Sequence, residues 1–205
     1  MTVPLEVAGS VAVVTGGANG IGKGIVRALL EADATVVIAD IEQDVMDTTV
    51  AALSASFPGR VSGILVDVSD ADSVESLADQ VFTVHGRCTL LYNNAGVGSG
   101  GGGRIWTHEP NDWRWCYGVN VFGTANGIMA FVPRMLASGE PGHVVNTSSG
   151  DGGFAPVPSA GLYASSKAAV SCMTETLDHQ LRAESEAMGA SVFYPSGGLM
   201  DTGLF

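Results

Sequence analysis

Basic residues are scarce in this sequence: nine Lys and Arg stand against 21 Asp and Glu, which gives a formal net charge of −12. Such an acidic surface repels phosphate backbones, so we expect no nucleic-acid partner. Long apolar runs are also missing, since none reaches the roughly 18 residues that a membrane-spanning helix needs. Residues 1–10 lack the basic start of a secretory leader. We therefore expect neither a membrane partner nor a signal peptide.

Cysteine is rare as well. Cys88, Cys116 and Cys172 lie far apart, form no C-x-x-C pair and are odd in number. Reduced thiols in a cytoplasmic protein are the simplest interpretation. The four histidines show no metal-ligand spacing, so we predict no metal site.

Apolar residues and glycine, by contrast, are plentiful: 46% of the 205 residues are apolar and 28 are glycine. Short β-rich runs alternate with helical stretches along the chain, which predicts a parallel sheet covered by helices on both faces. We predict a single doubly wound α/β domain of the Rossmann type over residues 1–205. The predicted strands are 10–15, 35–39, 61–66, 89–92, 142–147 and 191–194. The predicted helices are 20–32, 42–56, 69–85, 111–136 and 162–188.

The turn between the first strand and the first helix reads T-G-G-A-N-G-I-G over residues 15–22. Gly16, Gly20 and Gly22 permit a tight turn, and the helix start directs its amides at negative charge. This arrangement favours binding of a dinucleotide pyrophosphate. The spacing differs from the common G-x-G-x-x-G, and an ordinary strand–helix loop is the alternative.

Acidic residues follow the second and third predicted strands. Asp40 can accept hydrogen bonds from the adenosine ribose hydroxyls and would repel the 2′-phosphate of NADP, so it favours NAD. A helix-capping role for Asp40 is the alternative. Asp67 could accept a bond from the adenine amino group, and a cap or turn role is the alternative there.

Tyr163 and Lys167 are four residues apart in Y-A-S-S-K, so both lie on one face of a predicted helix. A neighbouring ammonium favours the phenolate, so we expect a lowered pKa for Tyr163 and a role in general acid–base chemistry. A solvated helix face is the alternative. Ser149, at the end of the fifth strand, is predicted to bind a substrate oxygen, although Ser148 competes for that role. Asn120 in G-V-N-V is either a buried polar residue or a surface one.

These pieces occur in one order, and together they make the chain resemble the short-chain dehydrogenase/reductase family from Ser10 to about Thr202. The resemblance implies that Tyr163 is the catalytic acid/base and that Lys167 lowers its pKa and holds the nicotinamide ribose. It also implies that Ser149 orients the substrate and that Asn120 supports a water in a proton relay. The residues implied to line the cofactor are Gly16, Asn19, Gly20, Ile21, Gly22, Asp40, Ile41, Asp67, Val68, Asn94, Ala95, Gly96, Tyr163, Lys167, Pro195 and Thr202.

The sequence departs from the family pattern near its end. Extra residues separate Pro195 from the Gly198–Thr202 stretch, so the turn beside the nicotinamide is expected to differ. The family usually continues beyond the point where this chain stops, so we expect the usual substrate-covering region to be lacking. The resemblance also implies a homotetramer or homodimer.

The combined motifs predict an NAD-dependent oxidoreductase that moves a hydride between NAD(H) and a small-molecule alcohol or ketone. The alternative is an NAD-binding protein without catalysis, a sensor or an assembly partner. An epimerase or dehydratase of the related extended type fits less well, because those usually carry a T-G-x-x-G-x-x-G turn.

Overall fold

The sheet of the computed structural model contains six parallel strands in the order β3-β2-β1-β4-β5-β6. The structure describes residues 5–98, 103–153, 155 and 157–195. This Rossmann-like arrangement confirms the predicted fold class. The strands are β1 (Val11–Thr15), β2 (Thr35–Asp40), β3 (Val61–Leu65), β4 (Leu90–Asn93), β5 (Gly142–Thr147) and β6 (Met188–Phe193).

Helices connect the strands and cover both faces of the sheet. They are α1 (Gly20–Glu31), α2 (Gln43–Ser54), α3 (Ala71–His85), α4 (Pro110–Tyr117), α5 (Gly123–Ser138), the short α6 (Gly150–Gly153) and α7 (Gly161–Glu184). A 3₁₀ turn, Ile105–Thr107, precedes α4, and a π-helix, Gly118–Phe122, joins α4 to α5.

Two apolar clusters, one on each face of the sheet, form the core. Side chains alternate between the faces along a strand, so Val14 and Ile38 pack with α1 and α2, whereas Val13 and Leu91 pack with α3, α5 and α7. All five side chains of β1 are buried, as expected for a central strand covered on both sides. The strand order reverses between β1 and β4, which opens a crevice at the carboxyl ends of these strands.

The prediction of one continuous helix over residues 111–136 was wrong. The π-helix Gly118–Phe122 interrupts it, between α4 and α5. The wider π turn adds residues without reversing the chain, so the apolar pattern of the sequence resembles that of one helix. The direction in which the side chains point nevertheless changes across the π turn. As a result both Asn120 and Val121 are buried.

The predicted last helix, 162–188, ends four residues too late. In the structure α7 ends at Glu184, and the hydroxyl of Ser185 accepts a hydrogen bond from the amide of Ala187, which turns the chain into β6. Serine competes with helical hydrogen bonding in this way, and the apolar Met188 already belongs to the strand.

Candidate active site

The glycine turn after β1 closes tightly on itself. Gly16 has a positive φ of 62°, and a Cβ on Gly22 would overlap the Gly16 carbonyl oxygen. Asn19 caps α1, its side-chain oxygen accepting from the Gly20 amide at 2.8 Å. The first turn of α1, including Ile21, therefore begins directly at the crevice, where helix amides lack intrahelical acceptors.

Asn94 joins the carboxyl ends of three neighbouring strands. Its side-chain amide donates to the carbonyl oxygens of Thr15 and Gly16 at 3.1 and 3.3 Å, and its Oδ1 accepts from the Thr147 hydroxyl at 3.2 Å. The Thr15 hydroxyl accepts from the amides of Asn94 and Ala95 at 2.9 and 3.0 Å. This network fixes the loop that follows β4 against the glycine turn.

Two carboxylates mark the ends of β2 and β3. Asp40 Oδ2 accepts from the Ala18 amide at 2.9 Å, so the acid is tied to the glycine turn, and the exposed Ile41 follows it. Asp67 Oδ1 accepts from the amide and hydroxyl of Ser69 at 2.9 and 2.7 Å. Asp67 therefore makes the turn contacts that were its alternative interpretation.

Tyr163 lies in the first turn of α7, and the Ser149 side chain is close enough to affect the pKa of its phenol. Burial raises the pKa of the Tyr163 phenol above its ordinary value; Ser149 opposes this rise, and the nearby Asp151 carboxylate adds to it. The expected lowering of this pKa by Lys167 was wrong for this structure, because burial dominates. Tyr163 consequently holds its proton at neutral pH.

Lys167, one turn further along α7, is almost completely buried. Its Nζ donates to the Thr147 carbonyl oxygen at 2.9 Å and lies 5.8 Å from the centroid of the Tyr163 ring. Burial lowers the pKa of the ammonium to about 8. A solvated helix face, the alternative for this pair, is therefore excluded for Lys167.

The Asn120 side chain lies wholly inside the protein, in the π-helix. Its Oδ1 accepts from the Val97 amide at 2.8 Å, and its Nδ2 donates to the Val97 carbonyl at 3.0 Å and to the Ser166 hydroxyl at 2.9 Å. The side chain thus pairs with both backbone groups of Val97, as a neighbouring strand would, and it holds the loop after β4.

Gly96 lies where these groups meet. A Cβ on this residue would be 3.2 Å from both Lys167 Nζ and Asn120 Oδ1. Glycine therefore allows the loop after β4 to pass close to the buried amine and amide. The structure brings Tyr163, Lys167, Ser149, Asn120 and Gly96 together at the carboxyl ends of β4 and β5.

Comparison of the sequence and the structure with known proteins identifies the family of this chain. The family model described as short chain dehydrogenase matches residues 10–203. The chain belongs to the short-chain dehydrogenase/reductase family. Its members include dehydrogenases and other oxidoreductases, among them a C alpha-dehydrogenase from a Sphingobium species that is 40% identical to this chain over 187 residues. That alignment covers 91% of this chain and 59% of the relative, so the chain spans about three fifths of the relative's length.

Solved structures of family members resemble this chain closely. A short chain dehydrogenase/reductase from Burkholderia phymatum, in complex with NAD, is 40% identical with a TM-score of 0.89, covering 94% of this chain and 67% of that one. A metagenomic short-chain oxidoreductase in complex with NADP is 31% identical with a TM-score of 0.84, covering 94% of this chain and 85% of that one. The family thus binds nicotinamide cofactors of both kinds.

The structure separates the roles of the two adjacent serines after β5. The Ser148 hydroxyl is buried and bonds to the Lys167 carbonyl oxygen at 2.9 Å and the Ser171 hydroxyl at 2.8 Å. Ser149, by contrast, is close enough to lower the pKa of the Tyr163 phenol. Ser148 therefore anchors α7 to β5, and Ser149 is the serine beside the phenol.

Sequence reasoning missed three hydroxyl residues that support the site. Thr15 and Thr147 bind Asn94, and the buried Ser166 accepts from Asn120 while donating to the Tyr163 carbonyl oxygen at 2.7 Å. Thr15 and Thr147 end β1 and β5, so their position at the crevice was a usable signal. Ser166 directly precedes Lys167 in Y-A-S-S-K, but its role depends on the π-helix.

Pro195, the last described residue, lies two positions beyond the end of β6, whereas Thr202 lies outside the described residues. Within the described part of the chain, no three His, Cys, Asp or Glu side chains are grouped closely enough to bind a metal ion. None of the helices described has the length and apolar character required to cross a lipid bilayer.

Proposed function

We propose that this protein is an NAD-dependent oxidoreductase that interconverts an alcohol and a ketone, with Tyr163 as its general acid/base. The observation that carries the proposal is the position of the Tyr163 ring, 5.8 Å from the buried amine of Lys167, which is itself bonded to Thr147 at the carboxyl end of β5. This end of an open α/β sheet is where ligands bind.

The residues around the crevice fit a dinucleotide. The tight glycine turn lets backbone amides at the start of α1 approach a pyrophosphate, which the helix dipole favours. The proposed cofactor residues follow the carboxyl ends of successive strands: the glycine turn after β1, Asp40 and Ile41 at β2, Asp67 and Val68 after β3, Asn94–Gly96 after β4, and Pro195 after β6. When bound, the cofactor supplies or accepts the hydride.

The protein's own side chains would handle the proton. In the reducing direction the Tyr163 phenol donates its proton to the substrate oxygen, as the carbonyl carbon receives the hydride. The raised pKa of Tyr163 keeps that proton in place at neutral pH. The Ser149 hydroxyl, which favours the charged form, and the nearby charge of Lys167 would stabilise the phenolate that forms. In the oxidising direction the phenolate takes the proton back from the alcohol.

Asp40 supports a preference for NAD over NADP. Its carboxylate lies at the end of β2, fixed by the Ala18 amide, at the position where an acid accepts bonds from ribose hydroxyls. A 2′-phosphate near this carboxylate would be repelled.

We also propose that subunits of the protein associate as a homodimer or homotetramer in the cytoplasm. Three large apolar side chains, Trp115, Phe122 and Met129, are exposed at intervals of seven residues along the segment from α4 to α5. A second copy packed against this segment would remove them from water. We propose the cytoplasm because all three cysteines are free thiols, as is usual for proteins in a reducing compartment.

Absorbance at 340 nm tests the proposed reaction, with NADH and a panel of ketones in one direction and NAD with secondary alcohols in the other. We expect turnover of at least one substrate pair and a lower KM for NADH than for NADPH. Binding of NADH with no turnover across the panel would favour the non-catalytic alternative.

A further inference from the structure

A buried amide on α5 holds the residue that follows Asp67. Asn126 Nδ2 donates to the Val68 carbonyl oxygen at 2.9 Å, across 58 positions of sequence. Asn126 is only 8% exposed, so this hydrogen bond is shielded from water. An amide so placed stabilises one conformation of the Val68 backbone, because the carbonyl would otherwise be buried without a partner.

The same helix packs directly against the Val68 side chain. A Cβ on Gly123, at the start of α5, would lie 2.8 Å from Val68 Cγ2 and 3.1 Å from its Cβ. Only glycine permits this contact. Gly123 and Asn126 are three residues apart and therefore lie on one side of α5, where they hold the side chain and the carbonyl of Val68 respectively.

Asp67, which precedes Val68, is held by residues that follow it closely in the sequence. The Asp67 amide donates to the Ser73 hydroxyl at 3.1 Å, and the Asp67 carboxylate binds Ser69. The Asp67–Val68 segment is thus held on one side by the start of α3 and on the other by α5. Neither group of contacts involves Tyr163, Lys167, Ser149 or Asn120.

We propose that Asn126 is a positioning residue for the adenine end of the dinucleotide. It acts through Val68, whose backbone it fixes, and so keeps Asp67 and Val68 at the spacing that an adenine ring needs. This inference depends on the proposed cofactor binding. Since the Asn126 amide donates to Val68, on the proposed adenine side, its loss should weaken ligands that carry adenine and leave the nicotinamide side unaffected.

Two fragments of the cofactor distinguish its adenine end from its nicotinamide end. ADP-ribose contains adenine without nicotinamide, and reduced nicotinamide mononucleotide contains nicotinamide without adenine. In Asn126→Leu, which keeps the branching at Cγ but removes the donor, we expect ADP-ribose to bind about tenfold more weakly by calorimetry. Turnover supported by the mononucleotide should equal that of the wild type. With NADH, KM should rise while kcat stays within about twofold, a pattern that removal of uniform binding produces.

Thr174→Val is the matched control, because Thr174 accepts a buried hydrogen bond from Asn146 at 2.9 Å far from Val68. It should lower the melting temperature without changing ADP-ribose affinity. If Asn126→Leu does not fold, Asn126→Ser serves instead, since its side chain is too short to reach Val68.

Equal ADP-ribose affinity in the wild type and the variant would overturn the role of Asn126 and leave the proposed function intact. Equal losses for both fragments would also overturn it, since they indicate general disruption. If the wild type binds neither ADP-ribose nor NADH, the proposed function itself fails and this inference with it.

Discussion

Lys167 Nζ lies 5.8 Å from the centre of the Tyr163 ring, yet its hydrogen bond goes to the Thr147 carbonyl oxygen rather than to the phenol. The amine thus lies beside the Tyr163 ring and connects α7 to the end of β5. Ser149 is the serine that lowers the pKa of the phenol, against the effect of burial. The two helix positions and the serine have separate effects, which substitutions can distinguish.

The buried charge of Lys167 costs stability. Its pKa falls from 10.5 to about 8 on folding, which corresponds to roughly 3 kcal/mol at pH 7. The hydrogen bond to Thr147 contributes only about 1 kcal/mol to the free energy of unfolding. Lys167→Met should therefore lose activity while its free energy of unfolding at pH 7 equals or exceeds that of the wild type.

The pH dependence of this effect has a definite sign. Below pH 8 both the folded and unfolded wild type carry the ammonium, so the full cost is present. Between pH 8 and 10.5 the unfolded chain binds more protons than the folded one, so the wild type gains stability relative to Lys167→Met as pH rises. Urea unfolding from pH 7 to 10 measures the difference, with the exposed Lys23→Met as control. A constant difference would contradict the buried charge.

Ser166 supports Asn120 from α7. In Ser166→Ala the buried Asn120 amide loses one acceptor, the Ser166 hydroxyl at 2.9 Å, and keeps the Val97 carbonyl oxygen at 3.0 Å. We expect a loss of about 1–2 kcal/mol in the free energy of unfolding and a severalfold lower kcat. Denaturant titration and initial rates measure the two effects. The neighbouring Ser165→Ala should change kcat much less, and equal kcat losses in both variants would show that Asn120 does not depend on Ser166.

Gly96 marks the closest approach of the loop after β4 to the site. In Gly96→Ala the added methyl would meet Lys167 Nζ and Asn120 Oδ1, each at 3.2 Å. We expect kcat/KM to fall at least about tenfold, because small displacements of catalytic groups are costly.

Gly24→Ala is the matched control, since nothing lies within 4 Å of its added methyl. This change within α1 should leave activity unaltered and stabilise the helix by about 1 kcal/mol. Full activity of Gly96→Ala would indicate that the loop is free to move away from Lys167.

Asp40 is predicted to set the cofactor preference. Asp40→Ser removes the charge that would repel a 2′-phosphate and the acceptor of the Ala18 amide. The ratio of kcat/KM for NADPH to that for NADH should rise about tenfold or more. Asp44→Ser, which makes the same charge change on the exposed start of α2, is the control. If the ratio of kcat/KM for NADPH to that for NADH is unchanged in Asp40→Ser, Asp40 does not set a preference for NAD.

Local patterns in the sequence predicted most of the fold. The bounds of β5 were predicted exactly as they occur, and α3 ends at His85, where Gly86 adopts the positive φ of 73° expected at a helix stop. Apolar runs and glycine stops depend on neighbouring residues alone, which is why they could be read. The π-helix could not be predicted in this way, because the apolar pattern on either side of it still reads as that of one helix.

The site was predicted in its residues but not in its electrostatics. Tyr163 and Lys167 share a helix face, as their spacing indicates, but the pKa of each depends on burial beneath loops distant in sequence. Burial of the Tyr163 phenol raises its pKa, the reverse of what the neighbouring amine alone predicts. Supporting residues such as Thr15 and Ser166 act through contacts that only the assembled strands and the π-helix create.

The proton transfer by Tyr163 is the central claim, and Tyr163→Phe tests it most directly. With a substrate pair turned over by the wild type, kcat should fall between about a hundredfold and ten thousandfold. The affinity for NADH should stay within a few-fold of the wild type, because the ring and Lys167 remain. Tyr92→Phe, which removes a phenol hydroxyl on β4, should retain normal kcat. Undiminished turnover by Tyr163→Phe would contradict the account.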